Sequence, residues 1–159
     1  MKQSEVQTDY KVLNISSSAF QPGGDIPKKY TCEGENISPP LHIGGTPEKA
    51  KSLALIVDDP DAPGGTFVHW IAWNIPIMHH IDEEELPGDQ GVNDFGEMGY
   101  GGPCPPSGTH RYYFKVYALD DLLDLDEGST KQALESAMDG HILAFGELMG
   151  RYRKSVKMK

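Results

Sequence analysis

The chain has 159 residues, is 38% hydrophobic, and carries 24 Asp and Glu against 14 Lys and Arg, for a formal charge of −10. Its length and apolar content suit one domain, 1–159, with its own core and a flexible tail at 1–9. Such an acidic chain is excluded from the nucleic-acid binders, whose affinity comes from neutralising phosphates, and its one basic cluster, Arg151 to Lys159, is short. It has no apolar run of about eighteen residues for stable membrane insertion, and the polar start Met1-Lys2-Gln3-Ser4-Glu5 lacks a secretion signal's apolar stretch. The expected location is therefore cytoplasmic. Cys32 and Cys104 are too few for a disulfide framework and lack CxxC spacing, so reduced thiols are expected, with a Cys32–Cys104 bridge as the lesser alternative.

In chain order, Lys11-Val12-Leu13-Asn14-Ile15 reads as a first strand, ended by Ser16 to Ser18. The stretches from Gln21 to Pro27 and from Glu33 to Pro40 are turn chemistry, rich in glycine and proline. Ser52 to Val57 is a buried strand that runs into Asp59-Pro60-Asp61-Ala62-Pro63. Thr66 to Ile75, nearly all β-branched or aromatic, is the next. The acidic run Asp82-Glu83-Glu84-Glu85 reads as a solvated loop. Gly101-Gly102-Pro103-Cys104-Pro105-Pro106 then leads into a further strand, His110 to Leu119. Ser129 with Gln132 has the pattern of a helix cap ahead of a helix over Lys131 to Met138, and a second helix is expected over Ile142 to Met149. Short strands between Gly- and Pro-rich turns imply a mostly β sandwich, with two helices near the C-terminus.

Side chains alternate along a strand. His110, Tyr112, Phe114 and Val116 therefore share one face, His69 shares one with Phe67, Ile71 and Trp73, and Asp59 extends the row Leu53, Leu55, Val57. If these strands are neighbours, Asp59, His69, His110 and Tyr112 close on one cavity, with Asp61 and the backbone amides of Gly101, Gly102 and Ser107 at its lip. Imidazoles, a phenol and turn amides are donors for an oxyanion such as phosphate, sulfate or carboxylate, and the Asp59 carboxylate is then a histidine partner. Against this, a single histidine in an aromatic strand is usually a core residue, and Asp-Pro-Asp is ordinary turn chemistry. Two histidines placed alike, each near a proline turn, favour a site. Arg111 is expected to form an ion pair. His79-His80 lacks a third partner at ligand spacing, so no metal and no cofactor are expected.

Several segments carry a resemblance: Tyr30-Thr31-Cys32-Glu33-Gly34-Glu35-Asn36-Ile37-Ser38-Pro39-Pro40-Leu41, Asp59-Pro60-Asp61-Ala62-Pro63 with Phe67-Val68-His69-Trp70, Tyr100 to Phe114, and Gly140-His141-Ile142-Leu143-Ala144 followed by Glu147-Leu148. In this order they resemble the phosphatidylethanolamine-binding protein family, also called Raf kinase inhibitor-like proteins, in its short bacterial and archaeal branch. The resemblance implies an antiparallel β-sandwich of Greek-key type with a few peripheral helices and a small anion-binding cavity. By motif position it implies pocket residues Asp59, Asp61, His69, Gly102, Pro103, His110 and Tyr112. It also makes Ala62–Pro63 a candidate cis peptide and a homodimer a candidate assembly.

Two functions follow as expectations. One is a non-catalytic binding module for a small phosphate- or carboxylate-bearing ligand, modulating a protein partner such as a kinase or protease. The alternative is a phosphoester or ester hydrolase using Asp59, His69 and His110. Against the enzyme stand the absence of a Gly-x-Ser-x-Gly elbow, of a metal-ligand cluster and of a P-loop.

Overall fold

The computed structural model describes residues 11–155, and the tail expected at 1–9 lies outside them. In chain order the elements are β1 (Lys11–Val12), β2 (Asn14–Ser16), β3 (Leu41–Gly44), β4 (Ser52–Asp59), β5 (Phe67–Ile75), β6 (His80–Ile81), β7 (Asp89–Gln90), β8 (Thr109–Leu119), α1 (Lys131–Met138) and β9 (Ile142–Arg153), with a 3₁₀ turn at Lys28–Tyr30. They make a six-stranded sheet, β1-β9-β8-β4-β5-β7, and a three-stranded sheet, β2-β3-β6. Pairing is antiparallel except that β1 runs parallel to β9, so the expectation of purely antiparallel strands is corrected there.

All eight residues of β4 are buried, the signature of a strand covered on both faces. On one side Leu53, Leu55 and Val57 pack with Trp70, Phe114 and Leu148 against Ile15, Leu41, Ile43 and Ile81 of the small sheet. On the other, Ala54 and Ile56 join Ile71 and Trp73 beneath Leu134 and Met138 of α1. The first strand read from the sequence is split at Leu13. Its start joins the large sheet and its end the small one.

Two helix expectations change. The N-cap of α1 is Thr130, whose hydroxyl accepts the Ala133 N–H at 3.2 Å, while Ser129 donates its hydroxyl to the Asp126 carbonyl at 2.6 Å. Both residue types cap by the same chemistry, so the position was displaced by one. The second helix, expected over 142–149, is strand β9. There Ala144, Gly146, Leu148, Gly150 and Tyr152 are buried while Glu147, Arg151 and Arg153 are exposed, a period of two. An apolar run of this length fits either period, and the long partner strand β8 decides it, pairing from Thr109↔Arg153 to Leu119↔Ile142. Gly146 has a steric reason, since a Cβ there would lie 2.2 Å from the Leu13 carbonyl oxygen.

The cysteines are bonded rather than reduced. Cys32 and Cys104 form a disulfide, with Cα atoms 5.4 Å apart, because their loops are paired: the Cys32 N–H donates to the Pro103 carbonyl at 3.1 Å. Ala62–Pro63 is trans, and no cis peptide occurs among the described residues. The Ala62 carbonyl accepts the Gly65 N–H at 3.1 Å, which closes a turn with Pro63 at its second position, a place proline takes in trans form. The acidic run 82–85 is only partly solvated, because Glu83 accepts from the Tyr30 hydroxyl and from Lys29, each at 2.8 Å. No helix among the described residues is long and apolar enough to cross a membrane.

Candidate functional site

The site begins with a break in strand regularity. Along β4 and β5 the register runs Asp59↔Phe67 and Asp58↔Val68, then Val57↔Trp70, so His69 is an extra residue. This β-bulge corrects the simple alternation. His69 stays beside Phe67 and Tyr112, but Ile71 and Trp73 turn to the α1 side. Backbone groups around the bulge are satisfied from outside the strand. The Val68 N–H donates to the Asp94 carboxylate at 2.7 Å, the Val68 carbonyl accepts from the Asp94 N–H, and the His69 carbonyl accepts from the Gly101 N–H at 2.9 Å.

The loop that reaches His69 is itself fastened to the 30–36 segment. The Tyr100 hydroxyl donates to the Tyr30 carbonyl at 2.6 Å, the Gly102 N–H to the Asn36 side-chain oxygen at 2.8 Å, and the disulfide joins Cys32 to Cys104. Gly102 is required by close approach. A Cβ there would sit 2.3 Å from the Tyr30 carbonyl oxygen and 2.5 Å from the Asn36 oxygen.

Asp59, His69, His110 and Tyr112 meet in a cavity of about 190 Å³ whose remaining wall is mainly Ala62, Pro63, Phe67, Phe95, Pro105 and Pro106. His110 Nδ1 donates to the Asp59 carboxylate at 2.6 Å, and the other Asp59 oxygen accepts the Asp61 N–H at 2.7 Å. Both rings are thereby oriented differently. His69 Nδ1 lies 2.7 Å from the Gly101 carbonyl, which can only accept, so Nδ1 carries the proton and Nε2 keeps a lone pair. Burial lowers the His69 pKa, so the ring is neutral at neutral pH. The proton of the buried Tyr112 hydroxyl finds no acceptor in the protein, the Cys104 backbone N–H only approaching its oxygen, and burial, followed by the charge of Asp59, raises its pKa, so it remains an O–H donor. The Tyr112 ring stands edge-on to His69, with centroids 5.1 Å apart.

The other expected pocket residues stand outside the cavity lining. Gly102 spends its N–H on Asn36, and the Pro103 carbonyl accepts from Cys32, so these two hold the loop. Gly101 likewise gives its N–H to His69. The expected row of turn amides at Gly101 and Gly102 is therefore not free for an anion. Asp61 faces Arg111, which donates Nε and Nη2 to its two carboxylate oxygens at 2.9 and 2.8 Å and its backbone N–H at 2.9 Å. Phe95 and Asn36 were not recognised as parts of a site. Phe95 sits in a loop with no periodic signal, and Asn36, though inside a segment that carries the resemblance, reads as turn chemistry with no role of its own.

The Arg111 guanidinium lowers the Asp61 carboxyl from 3.8 to about 2. Because the folded value lies below the ordinary one, the pair's contribution to stability is complete above about pH 4 and is lost as pH falls toward 2. Asp61→Asn is expected to flatten the acid limb of a stability-versus-pH curve across that window. Wild-type acid sensitivity in the variant would remove Asp61 as its source.

A two-sheet β-protein with a small cavity of oriented histidines and a buried phenol is the class that fold and geometry define. The sequence profile of the phosphatidylethanolamine-binding protein family matches residues 16–153. The chain belongs to that family. It is 54% identical over 149 residues to a UPF0098 protein of Pyrococcus abyssi, covering 87% of this chain and 84% of the relative. Among solved structures, a phosphatidylethanolamine-binding protein homolog of Chlamydia trachomatis superposes with a TM-score of 0.88 at 48% identity, covering 91% of this chain and 99% of the other. YbcL of E. coli, a member of the mammalian PEBP family, gives 0.83 at 33% identity, covering 90% and 99%.

Proposed function

We propose that the cavity is a non-catalytic binding site for a small molecule bearing a phosphate monoester, with the organic part of the ligand against the Phe67, Phe95, Pro105 and Pro106 wall. The observation that carries this reading is the buried Tyr112 hydroxyl, whose proton has no acceptor in the protein, since a buried donor without an acceptor calls for one from a ligand or water. His110, held by Asp59, faces the same space. His69 refines the ligand: its lone-pair nitrogen asks for a proton on the anion, which a phosphate monoester near its second pKa of about 6 supplies and a sulfate ester does not. A phosphorylated side chain on a protein partner, a kinase or protease among the candidates, has the same chemistry. The proposed location remains cytoplasmic with one condition, that the compartment leaves the Cys32–Cys104 bond oxidised.

Calorimetric titration with inorganic phosphate, O-phosphoethanolamine and a matched sulfate ester at pH 6 and pH 8 tests the proposal. Expected are saturable binding of the phosphate compounds, weaker binding at pH 8, little binding of the sulfate ester, and a loss in Tyr112→Phe. Equal binding of sulfate and phosphate esters would remove the role given to His69. The dyad of Asp59 and His110 is also the arrangement of an acid–base pair, so p-nitrophenyl phosphate is assayed in parallel. Turnover abolished by His110→Ala would replace the binding reading with the hydrolase.

A further inference from the structure

On the three-stranded sheet, Leu41, Ile43 and Ile81 turn into the core, which leaves His42 and His80 exposed on the outer face. The two are directly opposite each other across β3 and β6. Their rings lie 4.5 Å apart between centroids, tilted by 37°, and their Nδ1 atoms are 3.3 Å apart. The sequence juxtaposes His79 with His80, but the fold pairs His80 with His42, which is far away in the chain.

A third group makes the pair directional. Asp82 approaches His80 Nε2 to 2.6 Å through a carboxylate oxygen. That oxygen accepts, so Nε2 carries the ring proton and Nδ1 of His80 keeps its lone pair, facing His42. We propose that His42 and His80 form a two-nitrogen site for a tetrahedral divalent transition ion, zinc being the best fit, with Asp82 as the positioning residue for His80.

The distance selects the metal geometry. With Zn–N bonds of about 2.0–2.1 Å, the edge of a tetrahedron is about 3.3–3.4 Å, whereas a square-planar ion with similar bonds needs about 2.9 Å between neighbouring nitrogens. The observed 3.3 Å meets the first value with the backbone as it stands. Binding replaces one N–H···N contact between exposed rings, and His42 need only move its proton from Nδ1 to Nε2. The carboxylate on the distal nitrogen of a ligating imidazole is the usual outer partner of a histidine–zinc bond, fixing the ring and raising its basicity. Among the described residues no group of three or more His, Cys, Asp or Glu side chains is arranged to hold a metal, so the other two positions are left to solvent. Such a site is open and exchangeable, and when filled it ties the two-residue strand β6 to β3.

Zinc chloride is titrated calorimetrically into the full chain at pH 7.5 in a non-coordinating buffer, with histidine ring resonances followed by NMR. One equivalent is expected to bind and to shift the His42 and His80 resonances. Either His42→Ala or His80→Ala should abolish binding, His79→Ala should leave it intact, and Asp82→Asn should weaken it about 10–100-fold. The side chains are exposed, so the variants keep the wild-type fold, which circular dichroism checks. Zinc binding unchanged in the double variant, binding lost instead in Asp59→Asn, or no heat and no shift in the wild type would each overturn the site.

Discussion

Replacing Cys32 and Cys104 together with serine is expected to lower the unfolding free energy by about 4 kcal/mol, the chain-entropy value for a loop of this size. The bond spans 72 residues of sequence, so it restrains much of the unfolded chain. For a domain whose total stability is about 5–15 kcal/mol, a loss of that size is decisive. Native contacts around the bond do not depend on it: Tyr100 still reaches the Tyr30 carbonyl, and Asn36 still holds the Gly102 N–H. The variant should therefore fold, with the 100–106 loop less firmly fixed and the Gly101 acceptor of His69 less well placed. Urea denaturation with and without dithiothreitol measures the effect. The wild type should shift to a lower midpoint on reduction, and the double serine variant should ignore the reductant. Identical wild-type midpoints would show that the bond adds nothing to the folded state's advantage.

How far the sequence disclosed this arrangement differs from one part to another, for physical reasons. Strand β8 was readable in full because its alternation is strict: His110, Tyr112, Phe114, Val116 and Ala118 are buried on one face. Residue Asp59 was readable because β4 pairs with β8 without interruption up to Asp58↔Tyr113. The convergence of Asp59, His110 and Tyr112 follows from that register. His69 was placed near them by a rule that fails there, since the bulge sends Ile71 and Trp73 to the other side while His69 remains. A bulge depends on partners outside the strand, here Asp94 and Gly101, and a strand's own pattern does not contain them. Strand β9 was misread because Ile142 to Met149 satisfies both periods, and only its pairing with β8 breaks the tie. The disulfide was misjudged for the same kind of reason: spacing says nothing of two loops brought together by Tyr100, Asn36 and Gly102. Short strands such as β6 and β7 have two residues each, too few to display any period.

The second large effect is expected at Asp59, where stability and binding separate. This buried carboxylate accepts from His110 Nδ1 and from the Asp61 N–H, so Asp59→Ala leaves two donors without partners. At roughly 1–3 kcal/mol for each unsatisfied buried group, the variant should lose about 2–6 kcal/mol. Adding His110→Ala should recover part of that loss, because one of the two orphaned donors is then gone, and a double-mutant cycle reads the recovery as coupling. Asp59→Asn behaves differently. Its amide can donate to His110 Nδ1 only if the imidazole takes the opposite tautomer, which leaves Nε2–H as a neutral donor toward the cavity. In the wild type the Nδ1–H is spent on Asp59, so His110 meets an anion with Nε2–H only as the imidazolium, whereas the variant's neutral ring still donates to the charged phosphate but brings no charge of its own. Phosphate affinity at pH 6 should therefore fall roughly tenfold without disappearing, about the worth of one charge pair in water-like surroundings. Calorimetry on the two variants, alongside their denaturation curves, separates the roles. If Asp59→Asn bound phosphate as the wild type does, the carboxylate would serve the fold alone and His110 would not act on the anion through its charge.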